Sequence, residues 1–140
     1  MYSKILVAIE NSSADRAVLD HIEQLARLTG AGLLLVHVAD GFVARHFDDL
    51  KLRESEEMRD DRAYLERLCQ DLCGKGMVCA GRLAMGDPAT ELVRVAAEER
   101  VDPIAMSTHG HRFLQDLLRG STADRVRHGV SIPVLMVRAK

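Results

Sequence analysis

The chain has 140 residues and a formal net charge of −2; 47% of the residues are hydrophobic and 29% are charged. This composition fits one domain with a buried core, and it lacks the basic excess that favours nucleic-acid binding. Aromatic residues make up only 4%, which argues against a surface for stacking bases, and no apolar run is long enough to span a membrane.

The first predicted strand is Lys4–Ile9, a short and continuously apolar run that is typical of a strand covered on both faces. Ser12 and Asp15 follow as a predicted capping box, the reciprocal pairing of side chains and backbone N–H groups that starts a helix. Apolar residues then recur at helical spacing as far as Gly30. We therefore expect a helix between the Ser12 turn and this glycine.

The second predicted strand is Gly32–Ala39, and a polar connection is expected from Asp40 to about Asp49. We interpret the charged run Lys51–Arg67 as the solvated face of a long helix that ends at Gly74. The apolar face of this helix is expected to consist of Leu65, Leu68, Cys69 and Leu72.

Asp87 and Pro88 mark the next helix start, because Asp is a favoured N-cap and Pro is favoured at the first helical position. Further strands are predicted at Met77–Ala84, Asp102–Met106 and Ile132–Val137, and a further helix at Ser121–His128. Because strands alternate with helices throughout, we expect one α/β domain over residues 1–140. Its sheet should be parallel and doubly wound, with helices on both faces and ligands beyond the carboxyl ends of the strands.

A glycine-flanked segment follows the fourth predicted strand. It runs from Ser107–Gly110 through nine residues to Gly120–Thr122, where the next helix should begin. Such a turn before a helix presents backbone N–H groups and the positive end of the helix dipole, which suit a phosphate. The side-chain donors around it are His109, His111, Arg112 and Arg119. Ser121 and Asp124 also fit a capping box, which does not exclude an anion.

Other common nucleotide sites are absent from the sequence. The first strand-to-helix turn, Glu10–Ser13, contains no glycine, which excludes a dinucleotide fingerprint. No Gly-Lys-[Ser/Thr] sequence of a P-loop occurs either. A receiver-type phosphoacceptor would require several carboxylates after the first strand, where Glu10 stands alone.

The whole chain resembles the universal stress protein family. The resemblance rests on the start Lys4–Ile9, the Gly86-Asp87-Pro88 turn, the glycine-flanked segment and the ending Ile132–Val137. ATP-binding members resemble one another in a loop of the form Gly-x2-Gly-x9-Gly-[Ser/Thr], and the expected sheet order is 3-2-1-4-5. The implied ligand is ATP or a related adenine nucleotide with Mg²⁺. The implied nucleotide contacts are Ala8, Ile9, Glu10, Val38, Met106, Ser107, Gly110, Gly120, Ser121 and Thr122, with His109, His111 and Arg112 as accessory phosphate contacts.

Two positions depart from the family pattern. The acid after the first strand is usually Asp in nucleotide-binding members, and here Glu10 places its carboxylate one methylene further out. Ser107 replaces the first glycine of the loop. If the backbone there needs a positive φ, the serine side chain is strained and obstructs the ligand; if φ is negative, its hydroxyl is a further donor.

The resemblance also implies a stress-response protein that forms a homodimer through its last strand. The apolar residues of that strand are Val134, Leu135, Met136 and Val137. Nothing at fixed spacing marks a catalytic base, so we favour a nucleotide-binding regulatory module over an enzyme. A dimeric interaction protein without nucleotide is the alternative.

The cysteines and histidines have simpler interpretations. An odd count of three cysteines and a strand-like chain start favour a cytoplasmic protein with reduced thiols. We expect Cys69 and Cys73 to pack in the core, and a redox or metal sensor that also uses Cys79 is a further alternative. His37 is expected to be a satisfied histidine in the core or at a strand end. No metal site is predicted.

Overall fold

The computed structural model describes residues 1–40, 47–109 and 122–139. The strands are β1 (Lys4–Ile9), β2 (Gly32–Asp40), β3 (Cys79–Gly86), β4 (Ile104–His109) and β5 (Val134–Ala139). The helices are α1 (Ala14–Thr29), α2 (Phe47–Gly74), α3 (Pro88–Glu99) and α4 (Thr122–Gly129). Residues 110–121, most of the glycine-flanked segment, lie outside the described residues, and so do residues 41–46.

All strand pairs are parallel, and the sheet order is β3-β2-β1-β4-β5, which confirms the expected topology. β1 is central: Ile9 lies opposite His37 of β2, and Leu6 lies opposite Ile104 of β4. From β1 the chain winds outward to β3 on one side and then to β5 on the other. The winding direction therefore reverses between β1 and β4, and a ligand crevice opens beyond such a switch point.

Both faces of the sheet are buried, which explains why the central strands are continuously apolar. One face presents alternate strand residues to α1 and α2, and its core contains Ile5, Val7, Leu35, Val18, Ile22 and Leu65. The other face packs on α3 and α4, and its core contains Leu6, Val36, Ile104, Leu92, Val95 and Val126. Because side chains alternate along each strand, the two sets interleave in sequence. The predicted helices on both faces are confirmed.

Several element boundaries differ from the predictions. β4 continues past Met106 as far as His109, because its polar residues still pair with β5. β5 begins at Val134, since Pro133 has no N–H to donate, although its carbonyl accepts from Ile104 N at 3.0 Å. α3 starts as predicted, with the Asp87 side chain accepting from Thr90 N at 2.9 Å.

The predicted capping box at α1 is only half formed. The N-cap is Ser13, and the Ser12 hydroxyl accepts from Ala14 N rather than from Asp15 N. Asp15 does reach back to Ser12 N, but its carboxylate also binds other groups of the preceding loop.

The prediction that Cys69 and Cys73 pack in the core is wrong for Cys73, which is exposed, whereas Cys69 is half-buried. Leu72 in the same turn is 4% exposed, so the exposure is particular to the side of the helix that carries Cys73. Within the described ranges, no helix combines the length and the apolar character that crossing a membrane requires.

Candidate functional site

The carboxyl ends of β1, β2 and β4 bring the predicted nucleoside-side residues to one edge of the sheet. Ala8, Ile9 and Met106 are buried there, and Val38 is half-buried. Glu10 is exposed directly after β1, where its carboxylate accepts from the Ser12 hydroxyl at 3.2 Å. At this edge of the sheet, the strand ends are therefore apolar and buried, and the Glu10 carboxylate is exposed beside them.

A pocket of about 360 Å³ opens at this edge. Its lining residues are Glu10, Asn11, His37, Val38, Ala39, Glu57, Met58 and Asp61. Its carboxylates accept hydrogen bonds and do not donate them when ionised. The pocket therefore complements ligand groups that donate, such as amino and hydroxyl groups, better than it complements phosphate.

Asp15 organises the loop between β1 and α1. This carboxylate is 1% exposed and accepts from Glu10 N at 2.8 Å, Asn11 N at 2.8 Å and Ser12 N at 3.2 Å. Asn11 has a φ of 62°, the left-handed conformation that lets successive N–H groups converge. A protein carboxylate thus occupies the anion-binding concavity of this loop. A phosphate at the site must use N–H groups elsewhere.

Tyr64 of α2 extends the Asp15 cluster. Its hydroxyl donates to Asp15 Oδ2 at 2.7 Å. Burial, followed by the hydrogen bond to Asp15, raises the pKa of Tyr64 well above its usual value. The phenol therefore remains a donor at every physiological pH, and it ties α2 to the end of β1.

His37 and Asp61 form a second tie between α2 and the strand ends. His37 Nδ1 lies 2.8 Å from the carbonyl oxygen of Ile9, and because a carbonyl only accepts, this nitrogen is the donor. His37 Nε2 lies 3.2 Å from Asp61 Oδ2, and Asn11 Nδ2 donates to Asp61 Oδ1 at 3.0 Å. The prediction of a satisfied histidine at a strand end is confirmed. The role of Asp61 was missed, because this residue lies within the run interpreted as solvated helix surface.

Ser107 lies inside β4, and the positive-φ residues of the described chain do not include it. Of the two backbone alternatives, the extended one therefore applies, and the serine side chain causes no strain. Ser107 is 9% exposed, and its Oγ has no hydrogen-bond partner among the described residues. Leaving a buried hydroxyl without a hydrogen-bond partner costs about 1–3 kcal/mol.

Thr122 begins α4, the helix that follows the glycine-flanked segment. Arg125 of this helix forms a two-pronged ion pair with Asp87, with distances of 3.0 Å to Oδ1 and 2.7 Å to Oδ2. The hydrogen bond from Arg125, followed by those from Thr90, holds the pKa of Asp87 well below its usual range. The start of α4 is thereby fixed to the turn that starts α3.

The remaining predicted phosphate contacts fall outside what the structure describes: Gly110, His111, Arg112, Gly120 and Ser121. His109 is the last residue of β4, and only its backbone is described. No group of acidic, histidine or cysteine side chains within the described residues is arranged to hold a metal ion. Of the predicted nucleotide contacts, Glu10 and Val38 line the pocket, and Thr122 is the predicted phosphate contact whose side chain the structure describes.

The fold and this edge define a five-stranded, doubly wound α/β protein with a polar pocket at the carboxyl ends of β1 and β2. A sequence profile of the universal stress protein family matches residues 1–138, and the chain belongs to that family. Universal stress protein MJ0577 of Methanocaldococcus jannaschii is 26% identical over 160 residues, covering 100% of this chain and 97% of the relative. Universal stress protein YxiE of Bacillus subtilis is 29% identical over 150 residues, covering 99% of this chain and 100% of the relative.

Solved structures share the fold. The structure of MJ0577 superposes with a TM-score of 0.81 at 28% identity, covering 100% of this chain and 98% of that one. A universal stress protein in complex with cAMP gives a TM-score of 0.74 at 19% identity, covering 99% and 98% of the two chains. One from Archaeoglobus fulgidus in complex with dAMP gives 0.67 at 23% identity, covering 97% and 98%. At the identities of the last two, the likeness establishes the fold alone.

Proposed function

We propose that this chain is a stress-response protein that binds ATP or a related adenine nucleotide as a regulatory module, in the cytoplasm. The observation that carries the proposal is the buried, unpartnered hydroxyl of Ser107 on β4, next to the switch point. A ligand in the crevice would supply the missing partner. Family members of the same fold have been solved with cAMP and with dAMP, both adenine nucleotides.

The charges of the pocket suggest how the nucleotide lies. The base and ribose carry amino and hydroxyl donors, which suit the carboxylate of Glu10 and the acidic wall formed by Glu57 and Asp61. Val38 lines the pocket, and Ala8, Ile9 and Met106 would provide apolar surface at the neighbouring strand ends. The nucleoside would therefore occupy the crevice beside β1 and β2, with Ser107 on its β4 side.

The phosphates would lie toward α4. Asp15 already takes the N–H groups of the loop after β1, which leaves the segment after β4 as the anion site. Gly110, Gly120, Ser121 and Thr122 would hold the phosphates, and His109, His111 and Arg112 would add charge. Mg²⁺ would accompany ATP, because this ion binds mainly through phosphate oxygens and water.

We propose binding without evolved catalysis. The buried carboxylate at the edge, Asp15, is saturated by backbone donors and Tyr64, so its role is to position the loop. Asp61 is likewise engaged by Asn11 and His37. Neither group is placed to take a proton from an attacking water.

Calorimetric titration of the purified protein with ATP, cAMP and dAMP tests the proposal. We expect binding of at least one nucleotide by the natural protein and loss of that binding in Gly120→Val. Gly74→Val is the matched control, because Gly74 lies at the end of α2 and nothing stands within 4 Å of an added Cβ. Failure of all three nucleotides to bind, with the fold intact by circular dichroism, would refute the proposal and leave a dimeric interaction protein.

We also propose a homodimer through β5. This strand is at the edge of the described sheet; Val134, Leu135 and Val137 are half-buried, and Met136 is 37% exposed. An apolar edge strand favours coverage by a second copy. Light scattering after size exclusion should give a dimer, which Met136→Lys weakens. Leu28→Lys, at an exposed apolar residue of α1, is the control, and a monomeric natural protein would contradict the proposal.

A further inference from the structure

The three cysteines of the chain converge at the outer edge strand β3, away from the carboxyl edge of the sheet. Cys69 on α2 and Cys79 at the start of β3 place their Sγ atoms 3.5 Å apart. Cys73, one turn further along α2, has its Sγ 3.7 Å from the carbonyl oxygen of Cys79. All three are unbridged thiols.

Gly81 makes this approach possible. It lies two residues after Cys79 on the same face of β3, and a Cβ added there would stand 3.2 Å from Cys69 Sγ. A side chain at position 81 would therefore push the Cys69 sulfur away from the strand. The glycine lets the sulfur lie against β3, beside Cys79.

The three thiols differ in access. Cys73 is exposed, whereas Cys69 and Cys79 are half-buried and line a groove of about 520 Å³. Burial is the main cause that raises the pKa of both Cys69 and Cys79, and Cys73 contributes further to each increase. Because Cys73 is the exposed thiol, an external reagent meets it first.

We propose that these cysteines form a thiol–disulfide exchange site in which Cys73 is the entry thiol and a Cys69–Cys79 disulfide is the product. The oxidant is a small disulfide such as glutathione disulfide. The Cys73 thiolate attacks one sulfur of the oxidant, forms a mixed disulfide and releases one glutathione thiolate. Cys79 then loses its proton to solvent and attacks the Cys73 sulfur, which releases the second glutathione.

In the last step Cys69 loses its proton and attacks the Cys79 sulfur, so that Cys73 leaves as a thiolate and is protonated again. In total, two protein thiols and one small disulfide give one protein disulfide and two small thiols. The Sγ atoms need to close from 3.5 Å to the bonded distance of about 2.0 Å. A thiol of raised pKa leaves slowly, so the product should resist re-reduction.

The product would fasten the last turns of α2 to the edge strand. Asp61, which lines the candidate pocket, and Tyr64, which donates to Asp15, lie at least one turn nearer the start of α2 than Cys69. The inference therefore stands independently of the proposed nucleotide site, and oxidation is expected to leave nucleotide affinity unchanged.

The test incubates fully reduced protein with glutathione disulfide, quenches with N-ethylmaleimide and locates the bonds by peptide mass mapping. We expect two thiols to be lost, a Cys69–Cys79 bond to form and Cys73 to be alkylated. Cys73→Ser should slow the loss of thiols by a factor on the order of ten, because the remaining thiols supply little thiolate. In Cys79→Ser, the glutathione adduct on Cys73 should accumulate instead.

Three alkylated thiols in the oxidised natural protein would overturn the proposal. A final bond that includes Cys73, or an unchanged rate in Cys73→Ser, would overturn it as well. If circular dichroism shows that Cys79→Ser folds poorly, Cys69→Ala is the second variant that cannot form the Cys69–Cys79 disulfide. Oxidation of Cys69→Ala should end at a disulfide that includes Cys73.

Discussion

Replacing Asp15 by Ala is the most direct test of how the pocket edge is held together. The substitution removes a 1% exposed carboxylate that binds backbone N–H groups of Glu10, Asn11 and Ser12 and the hydroxyl of Tyr64. Hydrogen bonds to a charged group contribute about 1.5–3 kcal/mol each, but water can reach part of this loop once the carboxylate is gone. We therefore expect a loss of about 3–4 kcal/mol in the free energy of unfolding, a large share of a typical domain stability.

Urea unfolding followed by circular dichroism measures this loss. Asp15→Asn should lower the free energy of unfolding about half as much as Asp15→Ala, because the amide keeps one acceptor oxygen but directs its own N–H groups toward the N–H groups of the loop. Tyr64→Phe should lose about 1 kcal/mol, and the double variant with Asp15→Ala should lose less than the sum. Asp20→Ala, at an exposed acid of the same helix, is the control. A loss below about 1 kcal/mol in Asp15→Ala would refute the view that this carboxylate organises the loop.

Three further predictions concern the switch point and the turn before α3. Ser107→Ala should leave the free energy of unfolding of the ligand-free protein unchanged or raise it by up to about 1 kcal/mol, because the serine hydroxyl has no hydrogen-bond partner among the described residues. The same substitution should weaken nucleotide affinity roughly five- to tenfold in calorimetry. Because the pKa of Asp87 is lower when folded than when unfolded, its contribution to stability is complete above about pH 4 and is lost as the pH falls further. In urea unfolding at several pH values, Asp87→Asn should reduce the loss of unfolding free energy below pH 4. The same pH dependence in the variant and the natural protein would contradict the ion pair with Arg125. Gly86→Ala should lower the free energy of unfolding by about 1–3 kcal/mol, because φ is 131° at Gly86 and an added Cβ would lie 3.2 Å from the Glu91 side chain. A melting temperature unchanged by this substitution would contradict the expected strain.

Most of the fold could be predicted from the sequence because local signals agreed with the global packing. Lys4–Ile9 is apolar at every position after the first, and a strand with that pattern must be covered on both faces. Asp87 and Pro88 mark a helix start through contacts within a few residues. By contrast, β4 was predicted too short, because Ser107 and Thr108 are polar, and only their pairing with Val137 and Arg138 keeps them in the strand.

The contacts that shape the pocket could not be predicted, because they join residues far apart in the chain. Tyr64 lies 49 positions from Asp15, and Asp61 lies 50 positions from Asn11. Both α2 residues belong to a charged run whose composition is typical of solvated surface. Asp15 had a sufficient local explanation as a cap, which concealed its contact with Tyr64. The exposure of Cys73 was missed for a related reason: helical spacing places Cys69 and Cys73 on one face of α2 but does not show how far that face is covered.

The central position of β1 has a consequence for how the chain acquires its native structure. β1 pairs with β2 through residues 28 positions apart, such as Lys4 and Gly32, whereas its pairing with β4 joins Leu6 to Ile104 across most of the chain. Closing the longer loop costs more entropy, and contacts of high sequence separation slow folding. We therefore expect β1, β2 and β3 to assemble with α1 and α2 first, and β4 to dock against β1 late. The pocket between β1, β2 and α2 would then form before the β4 side of the proposed site, so a ligand that contacts both sides would favour the completed fold.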